Sequence, residues 1–169
     1  MGTFHSIFAK ILRMEGAKLG YKPNFTIYDS ADSKSLIRSI IKELNLDDNV
    51  YKPGAIASRI SSAKNSLITA NMYASDPSMQ ENDKASRMPL LAQIYKTYTA
   101  RCFKANSMDF DDLLLNTNIL FRDSPETLAA YQERFGYILV DEYQDTNYSQ
   151  YLIVKKLAAS HRNICVVGD

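Results

Sequence analysis

The chain has 169 residues, of which 46% are hydrophobic and 23% charged, proportions that exclude a globally disordered protein. No apolar run approaches the roughly 18 to 20 residues that a membrane span needs, and no basic, then apolar leader opens the chain, so we expect a cytoplasmic protein. A formal net charge of +1 gives no support for a strongly basic surface, so any contact with nucleic acid must rest on local geometry.

Two helices are predicted in the first 44 residues. The first follows Thr3-Phe4-His5 and can be capped by Ser6. Its apolar residues recur at helical spacing: Phe8, Ile11 and Leu12. A short extended segment, Asn24 to Tyr28, leads to a second helix capped by Asp29 or Ser30. Its inner face consists of Leu36, Ile37, Ile40, Ile41 and Leu44. Because a motif-like triplet lies so close to Met1, we expect the protein to extend upstream.

The middle of the chain is predicted to hold two more helices and a loop. A helix after Lys52-Pro53-Gly54 turns Ile56, Ile60 and Ala63 inward, and directs Arg59 and Lys64 toward solvent or a ligand. The polar stretch from Thr69 to Arg87 has no sustained apolar period and predicts a long loop. A long helix then spans about Met88 to Ala105. Its spacing favours core packing of Tyr95 and Tyr98 over a base-stacking platform.

The last third changes pattern at Gly136. Two helices are predicted before this point, one at about Asp111 to Phe121 and one from Ser124-Pro125. Two apolar runs follow it, Tyr137 to Val140 and Ile164 to Val167. A predicted helix from Tyr148 to Ala159 separates the two runs. This order predicts parallel strands buried on both faces and belonging to a larger α/β domain. The two cysteines lie in apolar segments without metal-ligand spacing, and we expect both to be reduced core residues: Cys102 and Cys165.

Two acids follow the first of these strands. Asp141 and Glu142 stand at its carboxyl end, where open α/β sheets bind ligands. In P-loop NTPases, the acid at this position holds Mg²⁺ beside the phosphates, and a neighbouring carboxylate can orient and deprotonate the attacking water. A bare Asp-Glu pair could instead only cap the next helix.

The longer string Val140-Asp141-Glu142-Tyr143-Gln144-Asp145-Thr146-Asn147 resembles motif II, DExQD, of superfamily-1 DNA helicases of the UvrD/PcrA/Rep type. The resemblance implies that Asp141 coordinates Mg²⁺ and that Glu142 is the catalytic base. It also implies that Gln144 and Asp145 link the nucleotide site to its neighbours. Gly168-Asp169 resembles the opening of motif III, which places Asp169 with the nucleotide-binding residues.

Three shorter segments resemble other elements of the same family. Thr3-Phe4-His5 resembles the TxH motif, which implies that Thr3 and His5 touch the single-strand backbone. Ser61-Ser62-Ala63-Lys64-Asn65 resembles an SxxKN stretch, in which Lys64 and Asn65 could meet DNA phosphate. Asp109 to Leu114 resembles a DFDDLL element, but its acids would repel phosphate, so helix capping by Asp109 or Asp111 is the preferred interpretation.

The resemblance implies an α/β, predominantly helical fold: a partial RecA-like P-loop NTPase domain (residues 1–21 and 109–169) with an all-helical insertion subdomain (residues 22–108). It implies an ATP-dependent 3′-5′ DNA helicase that uses Mg²⁺ and ATP on single-stranded DNA and single-strand/duplex junctions. The chain has no GxxxxGK(S/T) loop, so we expect no ATPase activity from it alone. Two alternatives stay open: the helicase part of a helicase-nuclease fusion, and a non-enzymatic DNA-binding or interaction module with a relic motif II.

Overall fold

The computed structural model describes residues 1–169 and contains nine α-helices and four short strands. The helices are α1 (Phe4–Glu15), α2 (Ser30–Glu43), α3 (Pro53–Asn65), α4 (Ala70–Ser75), α5 (Pro77–Ala85), α6 (Leu91–Lys104), α7 (Phe110–Asp123), α8 (Pro125–Arg134) and α9 (Tyr148–Ala158). The strands are β1 (Thr26–Tyr28), β2 (Ser107–Asp109), β3 (Ile138–Val140) and β4 (Ile164–Val166). The predicted, predominantly helical architecture with parallel strands is confirmed. None of the helices combines the length and the apolar character needed to cross a membrane.

Packing divides the chain into two compact units. The helical unit is Asn24–Asp112, and the motif II unit is Met1–Pro23 together with Leu113–Asp169. Each unit has one pair of parallel strands: β1 pairs with β2 in the helical unit, and β3 pairs with β4 in the motif II unit.

In the motif II unit, a side-chain oxygen caps the N-terminus of α1. That oxygen belongs to Thr3, whose Oγ1 accepts from the Ser6 amide at 3.2 Å. The prediction that Ser6 caps the helix is therefore wrong. The predicted inward residues are buried as expected: Phe8, Ile11 and Leu12. Farther along, Asn118 of α7 donates to the carbonyl of Ser149 at 3.0 Å, which ties α7 to the start of α9.

The core of the helical unit is formed mainly by α2, α3 and α6. Asp29 caps α2 in a reciprocal capping box with Asp32, which confirms the first of the two predicted caps. The inward residues of α6 recur at helical spacing and are buried: Leu91, Ile94, Tyr95, Tyr98 and Cys102. Tyr95 and Tyr98 are each 1% exposed, which confirms the prediction of core packing over base stacking.

The stretch from Thr69 to Arg87 is helical, and the prediction of a long loop is wrong. Two short helices fill it, each with its own cap: Thr69 accepts from the amide of Met72 before α4, and Asp76 accepts from that of Ser78 before α5. Neither helix buries enough apolar residues to produce a periodic pattern. Their inward groups include Tyr73, whose hydroxyl donates to a carboxylate oxygen of Asp83 at 2.8 Å.

Lys64 of α3 points into the interior of the helical unit and is only 1% exposed. Its Nζ lies 2.6 Å from Oδ2 of Asp109 and 2.7 Å from Oδ1 of Asp112. The hydroxyl of Tyr98 also donates to Asp109 Oδ2, at 2.8 Å, and the ammonium lies 5.0 Å from the centre of that tyrosine ring. The prediction that Lys64 faces solvent or a ligand is therefore wrong. We call Lys64, Tyr98, Asp109 and Asp112 the buried charge cluster.

The charges of this cluster depend on one another. Burial would lower the pKa of Lys64, but the two carboxylates outweigh burial and raise that pKa well above its ordinary value. Burial raises the pKa of Asp112 to about 6, against the opposing attraction of Lys64. Burial also acts to raise the pKa of Asp109, but there the attraction of Lys64 prevails and lowers the pKa. The ammonium of Lys64 thus forms ion pairs with two carboxylates whose pKa values are shifted in opposite directions.

The same two carboxylates start α7. Oδ1 of Asp109 accepts from the amide of Asp112 at 2.8 Å, and Oδ2 of Asp112 accepts from the amide of Asp109 at 3.1 Å. This reciprocal arrangement is a capping box, and it confirms the predicted capping by Asp109.

The strands β3 and β4 pair in parallel, as predicted, but they are not buried on both faces. Leu139 is 72% exposed and Val166 46%, and Cys165 is also exposed. The prediction of a buried Cys165 is wrong, whereas that of a buried Cys102 is confirmed. Within residues 1–169 each of these strands pairs only with the other, so apolar side chains that a wider sheet could cover meet solvent here.

Replacing Lys64 with methionine should lower the free energy of unfolding by about 3–5 kcal/mol at pH 7, because two buried carboxylates lose their cation. The loss should shrink at pH 5. Lys64 opposes the rise that burial causes in the pKa of Asp112, so without Lys64 this pKa should lie higher than in the wild type, and lowering the pH should stabilise the folded variant more than the folded wild type. Urea denaturation at both pH values measures the two effects.

Two controls accompany this measurement. In the double variant Lys64→Met/Asp112→Asn, part of the stability should return, since only one carboxylate then lacks a cation. Arg101→Met removes an exposed ion pair with Glu43 and should cost about 1 kcal/mol or less. If Lys64→Met cost no more than Arg101→Met, the buried charge cluster would not stabilise the fold.

Candidate nucleotide and DNA sites

The two acids of the predicted nucleotide site lie where β3 ends. The register pairs Val140, the last residue of β3, with Val166, the last residue of β4, so both strands finish at the same edge. Asp141 and Glu142 follow at once, and both are exposed. This is the edge at which parallel sheets present ligand-binding groups.

The backbone turns sharply at Glu142. This residue has φ 49° and ψ 45°, the left-handed conformation, which costs a residue other than glycine roughly 1–2 kcal/mol. Oδ1 of Asp141 accepts from the Glu142 amide at 3.0 Å. The turn then continues as a short 3₁₀ helix, Tyr143–Asp145.

The carboxylate of Glu142 has a hydrogen-bond partner inside the same motif. Nε2 of Gln144 donates to Glu142 Oε2 at 2.6 Å. This contact leaves the second carboxylate oxygen, Oε1, without a partner among the hydrogen bonds of the turn. A carboxylate held at one oxygen and open at the other is suited to accept a proton from a water molecule in front of it.

The end of β4 closes over this turn. The amide of Val167 donates to the carbonyl of Val140 at 2.9 Å, and the amide of Tyr143 donates to the carbonyl of Val167 at 2.9 Å. These bonds carry the strand pairing past the strand ends and into motif II. They bring Gly168 directly against Gln144.

Gly168 is the residue whose role the sequence did not reveal. A Cβ atom at this position would lie 2.4 Å from Oε1 of Gln144, 3.3 Å from the Gln144 amide nitrogen and 3.4 Å from that of Tyr143. A side chain of any size would therefore displace the group that holds Glu142. A glycine directly after an apolar strand was the available signal, because such a glycine often marks a close approach of another backbone.

The structure brings together only some of the predicted nucleotide-site residues. Asp141, Glu142 and Gln144 are linked by the hydrogen bonds of the turn. Asp145 and Asp169 are exposed, and none of those hydrogen bonds reaches their carboxylates. Roles for these two residues stay predictions.

No group of three or more histidine, cysteine, aspartate or glutamate side chains in residues 1–169 is arranged to hold a metal ion. Mg²⁺ commonly keeps several waters and takes only one or two protein carboxylates together with substrate phosphates. The exposed carboxylate of Asp141, at the strand edge, fits one such ligand.

The residues predicted to touch DNA have different environments. Thr3 is exposed, and its Oγ1 serves as the cap of α1, while His5 is half-buried in the first turn of that helix. Asn65 donates to Oδ1 of Asp111 at 3.2 Å. Lys64 has no exposed ammonium to offer a phosphate, so the structure contradicts its predicted DNA contact. Its two carboxylate partners follow it by 45 residues or more, a separation at which local sequence patterns carry no information.

Replacing Gly168 with alanine should move the Gln144 side chain and break its bond to Glu142, at little cost in stability, because the close contact is with the end of an exposed, flexible side chain. Chemical shifts of the Tyr143 and Gln144 backbone amides and of the Gln144 side-chain amide report the movement directly. The matched control is Gly136→Ala, where an added Cβ meets nothing closer than 3.9 Å. Unchanged Gln144 signals in Gly168→Ala would contradict the close approach.

Comparison with known proteins places this geometry in a family. Residues 1–169 match the UvrD/REP helicase N-terminal domain. Proteins named ATP-dependent DNA helicase PcrA are 44% identical over 169 residues in Staphylococcus epidermidis, 42% over 171 residues in Leuconostoc citreum and 42% over 169 residues in Staphylococcus aureus. Each match covers 100% of this chain but 22% of the relative, so the chain spans about a fifth of their length. The chain belongs to the UvrD/REP helicase family, to the part that forms its N-terminal domain.

Proposed function

We propose that this chain is part of an ATP-dependent DNA helicase, with residues 1–21 and 109–169 in a RecA-like motor domain and residues 22–108 as its helical insertion subdomain. The observation that carries the proposal is the placement of Asp141 and Glu142 at the carboxyl end of a parallel strand, with Glu142 held by Gln144. The name shared by the relatives supports the use of ATP and DNA.

Each residue of motif II has a separate proposed role in nucleotide binding or hydrolysis. Asp141 would hold Mg²⁺, which neutralises phosphate charge when it is bound together with ATP. Glu142 would orient the attacking water and accept its proton at the free oxygen, Oε1. Gln144 would keep the Glu142 carboxylate in place, and Asp145 and Asp169 would extend the site toward its neighbours. The phosphates themselves require amides and a lysine that residues 1–169 do not supply.

We further propose that hydrolysis drives 3′-5′ movement along single-stranded DNA and opening of the duplex at a junction, in DNA repair or replication. Thr3 and His5, at the start of α1, would contact the single-strand backbone, the hydroxyl of Thr3 as a donor that its capping role leaves available. The relatives are bacterial proteins, so the chromosome on which such a motor acts lies in the cytoplasm.

Two alternatives to this proposal stay open. One differs in the domains that accompany the motor, and the other in whether motif II is active. A helicase-nuclease fusion would contain the same motor beside a nuclease, and only sequence beyond residue 169 separates the two. A non-enzymatic module with a relic motif II would have no need to hold Glu142. The Gln144–Glu142 bond and the room kept for it at Gly168 therefore favour a working site.

In the full-length protein, Glu142→Gln should lower DNA-stimulated ATP hydrolysis by about 100-fold or more, because the amide cannot accept the proton of the attacking water. Nucleotide affinity should change little, since the substitution leaves Asp141 in place. Steady-state hydrolysis and equilibrium binding of a fluorescent nucleotide measure the two quantities. Glu133→Gln, the same substitution at an exposed acid of α8 outside motif II, is the control, and turnover retained in Glu142→Gln would remove Glu142 from the role of base.

The 169-residue chain alone should bind Mg-ATP no more tightly than about 1 mM, because it lacks a phosphate-binding loop. Isothermal titration calorimetry at pH 7.5 tests this directly. Asp141→Asn in the same chain should give the same result. A micromolar dissociation constant that Asp141→Asn weakens would show that the phosphates have binding groups within residues 1–169.

A further inference from the structure

The side chain of Gln144 lies between the backbone that follows β4 and the carboxylate of Glu142. Its Nε2 donates to Oε2 of Glu142 at 2.6 Å. Its Oε1, at the other end of the same amide group, lies so close to Gly168 that a Cβ atom there would overlap it. One planar amide group therefore contacts the proposed base on one side and the end of a strand on the other. We call Gly168, Gln144 and Glu142 the base relay.

The turn of motif II fixes its own backbone but not the side chain of Gln144. The amide of Asp145 donates to the carbonyl of Glu142 at 3.0 Å, which closes the turn. Gln144 is exposed, and the bond to Glu142 is the hydrogen bond that its side-chain amide makes. An exposed glutamine has many rotamers, and holding it in one of them costs conformational entropy. On the side of Oε1 the backbone at Gly168 leaves no room for other positions of the amide, and it thereby supports the bond to Glu142.

The position of Gly168 depends on two backbone hydrogen bonds rather than on burial. Val166 and Val167, which precede it, are 46% and 51% exposed. The amide of Val167 donates to the carbonyl of Val140, and the carbonyl of Val167 accepts from the amide of Tyr143, both at 2.9 Å. Segments with few buried contacts open locally at a low cost in free energy. A shift of the end of β4 would therefore separate the two ends of the base relay.

In the proposed mechanism the relay acts on hydrolysis and not on nucleotide binding. A general base must lie within hydrogen-bond reach of the proton that it takes, and a misplacement of about 1 Å can cost roughly 100-fold in rate. The proposed Mg²⁺ ligand, Asp141, lies outside the relay, since its Oδ1 accepts from the backbone amide of Glu142 at 3.0 Å. Water activation and nucleotide binding thus depend on different contacts of the same turn.

We propose that Gly168 is a positioning residue for ATP hydrolysis and that the end of β4 controls the catalytic base through it. With the strand end in place, Gln144 holds the carboxylate of Glu142. When the strand end shifts, the carboxylate is released, so hydrolysis slows while the nucleotide stays bound. This inference rests on the proposed function and adds a means of regulating the same site.

The test is a double-mutant cycle in the full-length protein, made of Gly168→Ala, Gln144→Ala and the double variant. Each single substitution should lower kcat for DNA-stimulated ATP hydrolysis by about 10- to 100-fold and leave KM for ATP near its wild-type value. The double variant should be no slower than Gln144→Ala, because the added methyl group then has no amide to displace. Gly136→Ala, where an added Cβ meets nothing closer than 3.9 Å, should keep the wild-type kcat. Circular dichroism and thermal unfolding establish that each variant is folded.

Effects that multiply in the double variant would show that Gly168 acts on a group other than Gln144, and they would overturn the proposal. It would also fail if Gly168→Ala kept the wild-type kcat, or if the loss lay in KM alone. A failure of the proposed function has a different signature. If Glu142→Gln abolishes turnover and Gly168→Ala leaves it intact, only the base relay is refuted, whereas turnover retained in Glu142→Gln refutes the role of Glu142 as the base.

Discussion

The ammonium of Lys64 lies between two carboxylates that also begin α7, and the arrangement of the helical unit depends on it. Removing a lysine and two aspartates from water has a large cost, which only close contacts and complete hydrogen bonding can offset. The contacts are close, and Tyr98 satisfies a further lone pair of Asp109. The cluster therefore fixes α3 and α6 against the junction of β2 and α7, because any shift of these elements leaves a buried charge unpaired.

The nucleotide site depends on a different constraint, the absence of a side chain. Gly168 lets the end of β4 lie against motif II closely enough for Tyr143 to bond to Val167. Glu142 sits at the centre of this packing in a strained backbone conformation, with its carboxylate held by Gln144. Strain of this kind persists where surrounding contacts determine the conformation, and it is common at sites that perform chemistry. The ends of β3 and β4 are thus held together by these contacts and position motif II jointly.

Sequence patterns predicted the parts of this molecule that depend on near neighbours. Helix α6 was predictable because its buried residues repeat at helical spacing, and the start of α2 because Asp29 is a strong capping residue. The placement of Asp141 after a parallel strand followed from an apolar run between turn signals. In each case the decisive residues lie within about one helix or strand of one another.

The failures have an equally physical origin. Helices α4 and α5 are short and bury few apolar residues, so caps at Thr69 and Asp76 define them instead of periodicity. Lys64 lies beside Ala63 on a helix whose pattern permits either exposure or burial, and partners far along the chain decide between them. The apolar residues of β4 predicted burial. Burial also requires another strand or helix to cover β4, and a local sequence pattern does not show whether one is present.

The pairing of β1 with β2 has a consequence for how such a protein can be rebuilt. Thr26 lies opposite Ser107, so the chain enters and leaves the helical unit on adjacent strands about 4.8 Å apart. Residues 29–106 are therefore a connection between two neighbouring strands. The pairing of the strands does not fix how many residues that connection contains. Lengthening a connection between fixed ends adds little entropic cost. The helical module can therefore be enlarged or exchanged while the two strands that anchor it stay where they are, provided that the new module keeps a cation for Asp109 and Asp112.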